Sequence, residues 1–480
     1  MKVLVIGAGV GGLAAAADLA RRGCEVTVLE RAASHGGKMR HILSMDAGPT
    51  VFTMRWIFSE LFADAGERLE DHLAIHATDT LARHAWRAGG RLDLFADIDR
   101  SADAIGDFAG ARDAQGYRDF CARAGAIYRT LEQPFIAGQR PSPLELMRRP
   151  GPLALWRTAP FRSMWSALGE HFSDPRLRQL FGRYATYVGS SPWFAPATLM
   201  LVAHVEQEGV WLVRGGMRAV ADALRGLAER QGATFRFGAD VTRITTQGGR
   251  AAGVELAGGE QITADAVLFN GDVAALPGLG SPAPAPGQRS LSAITWCIRA
   301  PTSGFDLAHH NVFFAEDYAD EFRAIFDRGE ITAAPTLYLC AQDRGHGSPA
   351  PGTPERLLLL INAPASGDTT SLDPAAHWPR VEAMMAACGL VLGQGEHVAT
   401  SPAGFHALFP GTGGALYGQA SHGATSTLRR SGSASRLPGL YLAGGSVHPG
   451  PGVPMAAMSG RLAAARLLAD APVRGVRRRG

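Results

Sequence analysis

Cysteine is scarce in this chain of 480 residues, and its few copies are scattered. Five cysteines are present, and none belongs to a CxxC pair or to a cluster with histidine. Disulfide frameworks and structural zinc sites both depend on closely spaced cysteines, so the sequence predicts neither and we expect no metal site. Sparse free thiols are typical of a reducing compartment, and we therefore expect a cytoplasmic location.

A strong net charge and a membrane-spanning run are missing as well. The formal net charge is +3 at pH 7, which is too small for this length to indicate a nucleic-acid partner. No apolar run reaches the roughly 20 residues that a transmembrane helix needs. The apolar N-terminus is interrupted by glycines and by Asp18, which argues against a signal peptide. The sequence also shows no catalytic triad and no close pair of carboxylates, so we name no catalytic residue.

The first thirty residues carry a nucleotide-binding pattern. An apolar, β-branched run at 2–6 leads into a glycine-rich turn at 7–12, and an alanine-rich helical pattern follows. A second strand-like run at 25–29 ends at Glu30. In such a βαβ unit the glycines permit the turn and the approach of a pyrophosphate, while the acid binds a ribose diol. The helix N-terminus favours the phosphates, so we predict a Rossmann-like domain that binds NAD or FAD.

A second glycine block favours FAD over NAD. It runs from 36 to 40 and pairs two glycines with Lys38 and Arg40, and a further small-residue stretch follows at 46–50. A glycine pair beside basic residues suits a second pass of the backbone along a diphosphate. The alternative is an ordinary glycine loop with solvated charges.

The C-terminal part returns to the same pattern. A strand-like run at 440–443 leads into a turn rich in glycine and proline, and Val453 and Pro454 then open an apolar helix. Proline is pre-organised for the first helical turn. A helix N-terminus at this point can face the flavin pyrimidine, and its dipole would stabilise the negative charge of reduced flavin.

The middle of the chain has a different character. Residues 115–204 have a mostly helical pattern, and prolines interrupt it between 140 and 152. Residues 153–168 interleave aromatic side chains with arginines, which indicates either a membrane-interface patch or an ordinary core helix. Residues 172–205 form an apolar block with two tyrosines, which suits the wall of an apolar cavity or a packed core.

We predict an α/β protein in which a Rossmann-like FAD-binding domain is combined with a substrate domain of mixed sheet and helices. Strand-like runs between 234 and 269 return the chain to the nucleotide domain, with Val241 beside the nucleotide. The predicted segments are the FAD domain at 1–75, 206–285 and 431–470, the substrate and membrane-contact region at 76–205, the second part of the substrate domain at 286–430, and a basic tail at 471–480.

Three blocks together, 7–30, 36–50 and 441–459, resemble the flavoproteins that include amine oxidases, protoporphyrinogen oxidases and phytoene-type carotenoid desaturases. The block at 442–456 looks like the carotenoid desaturase signature, and amine oxidases usually differ at its positions 448–452. Within that branch, 183–191 and 195–217 look like the bacterial hydroxyneurosporene or methoxyneurosporene desaturases, which introduce the 3,4 double bond into 1-hydroxylated acyclic carotenoids.

The resemblance implies a set of FAD contacts. Position 38 is lysine where many relatives carry arginine, which puts a bidentate phosphate contact in doubt. Val241 would touch the adenine side, and the C-terminal residues would touch the isoalloxazine. The implied cofactor-binding residues are Gly7, Gly9, Val10, Gly11, Gly12, Glu30, Gly36, Gly37, Lys38, Met39, Arg40, Val241, Gly444, Gly445, Val453, Pro454 and Met455.

The resemblance also implies the chemistry and the partners. A lipophilic carotenoid would lose a hydride to flavin and then an adjacent proton, in an apolar tunnel that positions it. Arg55, Tyr187 and His448 are candidates for polar groups near that cavity. The electron acceptor would be oxygen or a quinone, and the enzyme would associate peripherally with the inner, intracytoplasmic membrane. Alternatives are a phytoene-type desaturase that acts on another bond, an amine oxidase, or a non-enzymatic prenyl-binding escort like the Rab GDP-dissociation inhibitors.

Overall fold

The structure is a computed structural model that describes residues 1–149, 151–282, 287–345, 347 and 349–471. The predicted basic tail at 471–480 lies outside these residues except for its first position. No helix within the described ranges is long and apolar enough to span a membrane.

Strands and α-helices are distributed along the whole described chain. The strands are β1 (Lys2–Ile6), β2 (Glu25–Glu30), β3 (His41–Ile42), β4 (Met45–Asp46), β5 (Ile75–Ala77), β6 (Thr80–Trp86), β7 (Arg91–Phe95), β8 (Trp211–Val213), β9 (Thr234–Phe237), β10 (Val241–Gln247), β11 (Arg250–Leu256), β12 (Gln261–Thr263), β13 (Ala266–Phe269), β14 (Ser292–Ala300), β15 (Thr302–Ser303), β16 (His310–Phe314), β17 (Leu337–Ala341), β18 (Glu355–Ala363), β19 (Val391–Leu392), β20 (Glu396–Thr400) and β21 (Leu440–Leu442). The α-helices are α1 (Val10–Arg21), α2 (Arg55–Asp64), α3 (Ile98–Ala109), α4 (Ala111–Leu131), α5 (Pro143–Arg148), α6 (Pro152–Arg157), α7 (Met164–His171), α8 (Pro175–Gly182), α9 (Leu201–Gln207), α10 (Met217–Arg230), α11 (Tyr318–Arg323), α12 (Pro374–Ala387), α13 (Pro402–Leu408), α14 (Ser426–Arg429) and α15 (Val453–Asp470).

A five-stranded parallel sheet forms the first half of the molecule. Its order is β21-β13-β1-β2-β9, so it collects strands from the start, the middle and the end of the chain. Strands β1 and β13 are almost wholly buried and mostly apolar, as central strands covered on both faces must be. Helices α1, α10 and α15 share one apolar core with the sheet. The predicted Rossmann-like arrangement is thereby confirmed.

A seven-stranded mixed sheet forms the second half. Its order is β20-β14-β18-β17-β16-β6-β7, and β16 pairs in parallel with β6 while the other pairs are antiparallel. Its longest strands, β14 and β18, have nine residues each. A helical layer, α3–α9, packs beside this sheet around its own core. The combination of a mixed sheet with helices agrees with the predicted fold class.

Several local predictions are confirmed within one or two residues. The strand-like runs predicted between 234 and 269 correspond to β9, β10, β11 and β13. The helix predicted from position 13 begins earlier, at Val10, because its first turn consists of the glycines themselves. The segment at 153–168, for which a membrane-interface patch or an ordinary core helix was predicted, is divided between α6 and α7. The domain boundaries stay predictions.

Candidate FAD and substrate site

The glycine turn between β1 and α1 is closed by backbone and side-chain contacts. Gly7 has φ +97° and donates its N–H to the Leu29 carbonyl over 2.7 Å, which ties the turn to the end of β2. A side chain at Gly12 would collide with the Gly7 carbonyl oxygen. The Asn270 side chain donates to that same oxygen at 3.1 Å. Glycine is therefore required in this turn by packing as well as by conformation.

The second glycine block lies directly against the first. Gly36 donates its N–H to the Ala8 carbonyl over 2.8 Å, and Gly36 and Gly9 form an isolated parallel bridge. A Cβ on Gly37 would come to 3.2 Å from the Gly9 Cα. The two glycine blocks are separate in sequence, yet they form one continuous backbone surface without side chains.

Glu30 lies at the end of β2, beside the turn. One carboxylate oxygen accepts the Ala8 N–H at 2.8 Å and the other accepts the Ala32 N–H at 2.9 Å. Each oxygen retains a lone pair that a ribose hydroxyl can use. Val241, at the start of β10, is buried in the apolar cluster that contains Leu29. Its place beside the strand that ends in Glu30 is compatible with the predicted adenine contact.

The C-terminal block brings a second helix N-terminus to the same region. Gly444 follows β21 and donates its N–H to the Ser459 hydroxyl at 2.7 Å. Helix α15 begins after Gly452 with no side-chain cap, and α1 begins after Gly9 without one. A Cβ on Gly11 would meet the carbonyl oxygen of Ala456, in the first turn of α15, at 2.9 Å, so the two helices begin side by side. Uncapped N–H groups at both helices favour an anionic ligand.

These features fit FAD. Two bare glycine blocks leave room for a diphosphate, an acid follows the second strand, and a second helix N-terminus begins beside the turn. Val10 and Gly11 occupy the first turn of α1, and Met39 is buried in the core below the second glycine block. Each predicted contact residue named so far belongs to this region.

Lys38 and Arg40 point elsewhere. The Lys38 ammonium donates to the Leu416 carbonyl at 2.5 Å, and burial lowers the pKa of this lysine. The Arg40 guanidinium donates to the Thr400 hydroxyl at 3.0 Å and lies 5.3 Å from the Phe405 ring centroid. Both cations therefore contact the second half of the molecule, at the end of β20 or in the segment that follows it. Their roles as FAD contacts stay predictions.

A large apolar cavity extends from the C-terminal block into the second half of the molecule. Its volume is about 600 Å³. Its lining includes residues 449–455, among them the predicted isoalloxazine contacts, and residues 48–51. It also includes the α5 and α6 side chains Leu146 and Leu155. An apolar space that begins at a flavin site suits a lipophilic ligand.

Comparisons with known proteins agree with this geometry. A family model described as flavin containing amine oxidoreductase matches residues 10–468. The chain belongs to the flavin-containing amine oxidoreductase family. A hydroxyneurosporene desaturase from Rubrivivax gelatinosus is 54% identical, with 98% of this chain and 93% of the relative covered. A second hydroxyneurosporene desaturase, from Cereibacter sphaeroides, is 44% identical, with 98% of each chain covered.

The solved structures support the fold. Cyclohexylamine oxidase from Brevibacterium oxydans matches with a TM-score of 0.59 at 15% identity, over 97% of this chain and 98% of that chain. The predicted resemblance to carotenoid desaturases, the FAD cofactor and the oxidoreductase class are thus confirmed. The individual cofactor contacts remain predictions that the geometry supports.

Arg430 of this flavin oxidoreductase was not predicted from the sequence. Its guanidinium is buried between the two halves and donates to the carbonyls of Tyr417, Gln419 and Gly445 at 3.2, 2.6 and 3.4 Å. Burial lowers the pKa of Arg430 to about 10. Arg430 therefore connects the C-terminal flavin block to the cavity wall. In sequence it is one of 47 basic residues, so nothing singled it out.

The structure separates the three polar candidates for the cavity. Tyr187 lies on the cavity wall. Arg55 is at the surface, where it pairs with Glu70. His448 is buried outside the lining and contacts the Gly138 carbonyl through Nε2 at 3.0 Å.

Four exposed apolar side chains lie on α5, on α6 and in the turn that follows it, and one of them lines the cavity. Trp156 on α6 is 68% exposed and Phe161 is 74% exposed, and Phe161 also lines the cavity. Leu144 and Leu153 are 51% and 61% exposed. We call these four residues the apolar rim. Trp165, in the same sequence segment, stacks on a neighbouring tryptophan with ring centroids 4.3 Å apart and belongs to the packed interior.

One group of possible metal ligands occurs in the second half. Ligand atoms of His309, His310 and Cys340 lie within 4.8 Å of one another. These residues come from β16, β17 and the turn before β16, so sequence spacing does not reveal them. The expectation of no metal site stays a prediction.

Proposed function

We propose that this protein is an FAD-dependent carotenoid desaturase that forms the 3,4 double bond of an acyclic, hydroxylated carotenoid. The observation that carries the proposal is the apolar cavity between the C-terminal flavin block and the apolar rim. The names of the two relatives at 54% and 44% identity support the same substrate class.

The reaction removes two hydrogens from neighbouring carbons and leaves a C=C bond. FAD, when bound, accepts one of them as a hydride, which carries both electrons. The second hydrogen leaves as a proton, and oxygen or a quinone takes up the electrons in a later step. The chain itself supplies a dry, shaped space, since the cavity is lined mostly by Leu, Val, Pro and other apolar side chains. Such a wall orients the polyene and keeps water from the electron-deficient carbon that hydride loss creates.

The alternatives are less well supported. A non-enzymatic prenyl-binding escort has no use for bare glycine blocks and an acid at the end of β2. An amine oxidase would need groups that bind an amine, whereas the cavity is largely apolar. A desaturase that acts on another carotenoid bond shares all these features and differs in its substrate.

The decisive experiment compares three substrates. Purified holoenzyme is incubated with hydroxyneurosporene, neurosporene and phytoene under oxygen or with a quinone, and the products are read from their absorption spectra. We expect a longer chromophore from hydroxyneurosporene. Conversion of phytoene alone would instead assign the enzyme to another bond.

We further propose that the substrate enters from a membrane through the apolar rim. Leu144, Leu153, Trp156 and Phe161 are exposed on α5, on α6 and just after it, and Phe161 also lines the cavity. Arg148, Arg149 and Arg157 lie among them in sequence. Aromatic and aliphatic side chains flanked by arginines suit an interface with anionic lipid. The proposed location is the cytoplasmic face of the inner, intracytoplasmic membrane, as a peripheral protein.

A further inference from the structure

One stretch of the cavity wall is polar. Arg183, Tyr187, Thr336 and Tyr338 all line the cavity, and the rest of the lining is mainly apolar. Thr336 directly precedes β17 and Tyr338 lies within it, so both side chains project from the same face of the sheet. Arg183 lies 5.2 Å from the Tyr338 ring centroid. We call these four residues the polar strip.

Arg183 is the most costly member of the strip. It lies inside the protein, and a buried guanidinium loses several kcal/mol of hydration unless polar partners replace the water. Within the described part of the chain its guanidinium makes one hydrogen bond, to the Tyr187 hydroxyl at 3.0 Å. A guanidinium has five N–H donors, so most of them remain available to a ligand in the cavity. A pure hydrocarbon gains nothing from such donors.

Thr336 contributes to the strip without its hydroxyl. Its side chain is 5% exposed, and the hydroxyl oxygen is closed off from the cavity and lies beside the buried Glu321 carboxyl. The Thr336 backbone N–H donates to that carboxyl at 3.2 Å. The donors that remain available along this wall are therefore those of Arg183.

Glu206, which also lines the cavity, lies beside Tyr187. Glu206 is buried, accepts a hydrogen bond from Tyr184 at 2.7 Å, and also lies within reach of the Tyr187 hydroxyl. Burial raises the pKa of its carboxyl. Tyr184 itself does not line the cavity, so the two tyrosines share a partner but differ in access to a ligand.

The strip lies at the flavin end of the cavity. The Tyr338 hydroxyl contacts the Thr50 hydroxyl at 2.7 Å, and Thr50 lines the cavity next to Gly48 and Pro49, which follow the second glycine block. A ligand oxygen on the strip is therefore held close to the place where the reacting carbons must be.

We propose that the polar strip is the subsite for the oxygen on C1 of the substrate, a tertiary alcohol or its methyl ether. This inference rests on the proposed function. The carbon that bears this oxygen is two bonds from C3, so a hydrogen bond from Arg183 or Tyr187 fixes which carbons face the flavin. Both end groups accept these hydrogen bonds through their oxygen. A hydrocarbon end group leaves the strip unsatisfied and is rejected.

The test measures binding and turnover of hydroxyneurosporene and neurosporene, which differ at the oxygen. Dissociation constants come from quenching of tryptophan fluorescence in the FAD-loaded protein, and kcat/KM comes from absorption. Arg183→Met and Tyr187→Phe should each weaken hydroxyneurosporene binding by about ten- to a hundredfold, because a hydrogen bond to a charged or buried group is lost. Neurosporene binding should stay within about threefold.

Tyr184→Phe is the matched control. It removes a hydroxyl from the same carboxylate but not from the cavity wall, so it should leave the ratio of the two dissociation constants unchanged. If Arg183→Met does not retain FAD, Tyr187→Phe still tests the strip. Equal losses for both carotenoids in a variant with normal FAD content would overturn the proposal. Wild-type protein that binds hydroxyneurosporene more tightly than neurosporene but converts neither would refute the proposed function and leave the subsite standing.

Discussion

The two halves of this molecule differ in how they are specified. The flavin half is built from short motifs in which neighbouring residues in sequence act together, such as the glycine turn and the end of β2. The substrate half is built from side chains that meet only in the fold. Its cavity is lined by segments that begin at Gly48 and end at Met455. In the flavin half, the backbone conformation of each motif restricts which residue can occupy a position. In the substrate half, the residue types at the cavity wall are restricted only by the shape and polarity of the cavity.

The interface between the halves follows from this difference. Arg430 and His448 both reach across it through backbone carbonyls, at Gly445 and Gly138 respectively. Backbone acceptors place no demand on the partner's side chain. The flavin half can therefore stay fixed while the cavity wall changes to fit another substrate.

The largest loss of FAD binding should come from Gly12→Ala, a substitution in the glycine turn of the flavin half. The added methyl group would collide with the Gly7 carbonyl oxygen, and neither backbone can shift without opening the turn. We expect FAD affinity to fall by about a hundredfold or more, measured by fluorescence titration of the apoprotein.

The control is Gly106→Ala in α3, where the nearest atom is the Ala114 Cβ at 3.5 Å. That variant should bind FAD normally and gain about 0.4–1 kcal/mol of stability. Normal FAD affinity in Gly12→Ala would show that the turn tolerates a side chain.

The same difference explains what the sequence could and could not predict. Gly7, Gly9 and Glu30 were predictable because their roles depend on local conformation and on position in a strand–turn–helix unit. Arg430 was not, because its importance comes from burial, and burial depends on packing between distant segments. Arg183 and Tyr187 are intermediate. Tyr187 was predicted as a polar group near the cavity, but residues 183–188 form a 3-10 helix, so α-helical spacing does not predict its contact with Arg183.

The next prediction concerns the contact between the halves and its dependence on pH. Burial lowers the pKa of His448 to about 4 from an ordinary value of 6.5. The unfolded chain therefore takes up a proton at a higher pH than the folded chain, so stability is complete above pH 6.5 and is lost as the pH falls toward 4. The free energy of unfolding should fall by up to about 3 kcal/mol, because each unit of pKa difference between the folded and unfolded chain is worth about 1.4 kcal/mol.

Urea unfolding of the holoprotein at pH 7, 5.5 and 4.5 measures this effect. His448→Gln can still donate to the Gly138 carbonyl but does not titrate, so its stability should fall less with acid. His397→Gln at the exposed β20 serves as the control and should retain the wild-type slope. Identical slopes for wild type and His448→Gln would mean that His448 does not take up a proton on unfolding.

A smaller effect should come from the apolar rim of the substrate half. The double variant Trp156→Glu with Phe161→Glu replaces two exposed aromatic side chains, and its partitioning onto vesicles with anionic lipid should fall at least about tenfold. Val391→Glu with Val398→Glu changes two apolar side chains that are 58% and 40% exposed outside the rim, and should partition like wild type. Trp165→Glu should instead lower the melting temperature, because Trp165 is packed. Unchanged sedimentation of the rim variant with vesicles would exclude the rim as the membrane contact.

The smallest effect should come from a change at the N-terminus of helix α15. This change tests whether the helix adjusts the reduction potential of the flavin or only helps to bind it. Its uncapped N-terminus begins after Gly452 at the predicted isoalloxazine contact, so its dipole should favour the negative charge of reduced flavin. A glycine inserted between Gly452 and Val453 would turn the first N–H groups away. The contribution of a helix terminus, about 0.3–2 kcal/mol, corresponds to a potential about 10–40 mV lower for a two-electron couple. Glu30→Ala is the contrast, since Glu30 is the predicted ribose contact and the isoalloxazine is predicted to lie elsewhere: the variant should weaken FAD binding and leave the potential of the bound flavin nearly unchanged. If both variants lose FAD equally and neither shifts the potential, α15 only holds the fold together, and the flavin half binds its cofactor without tuning it.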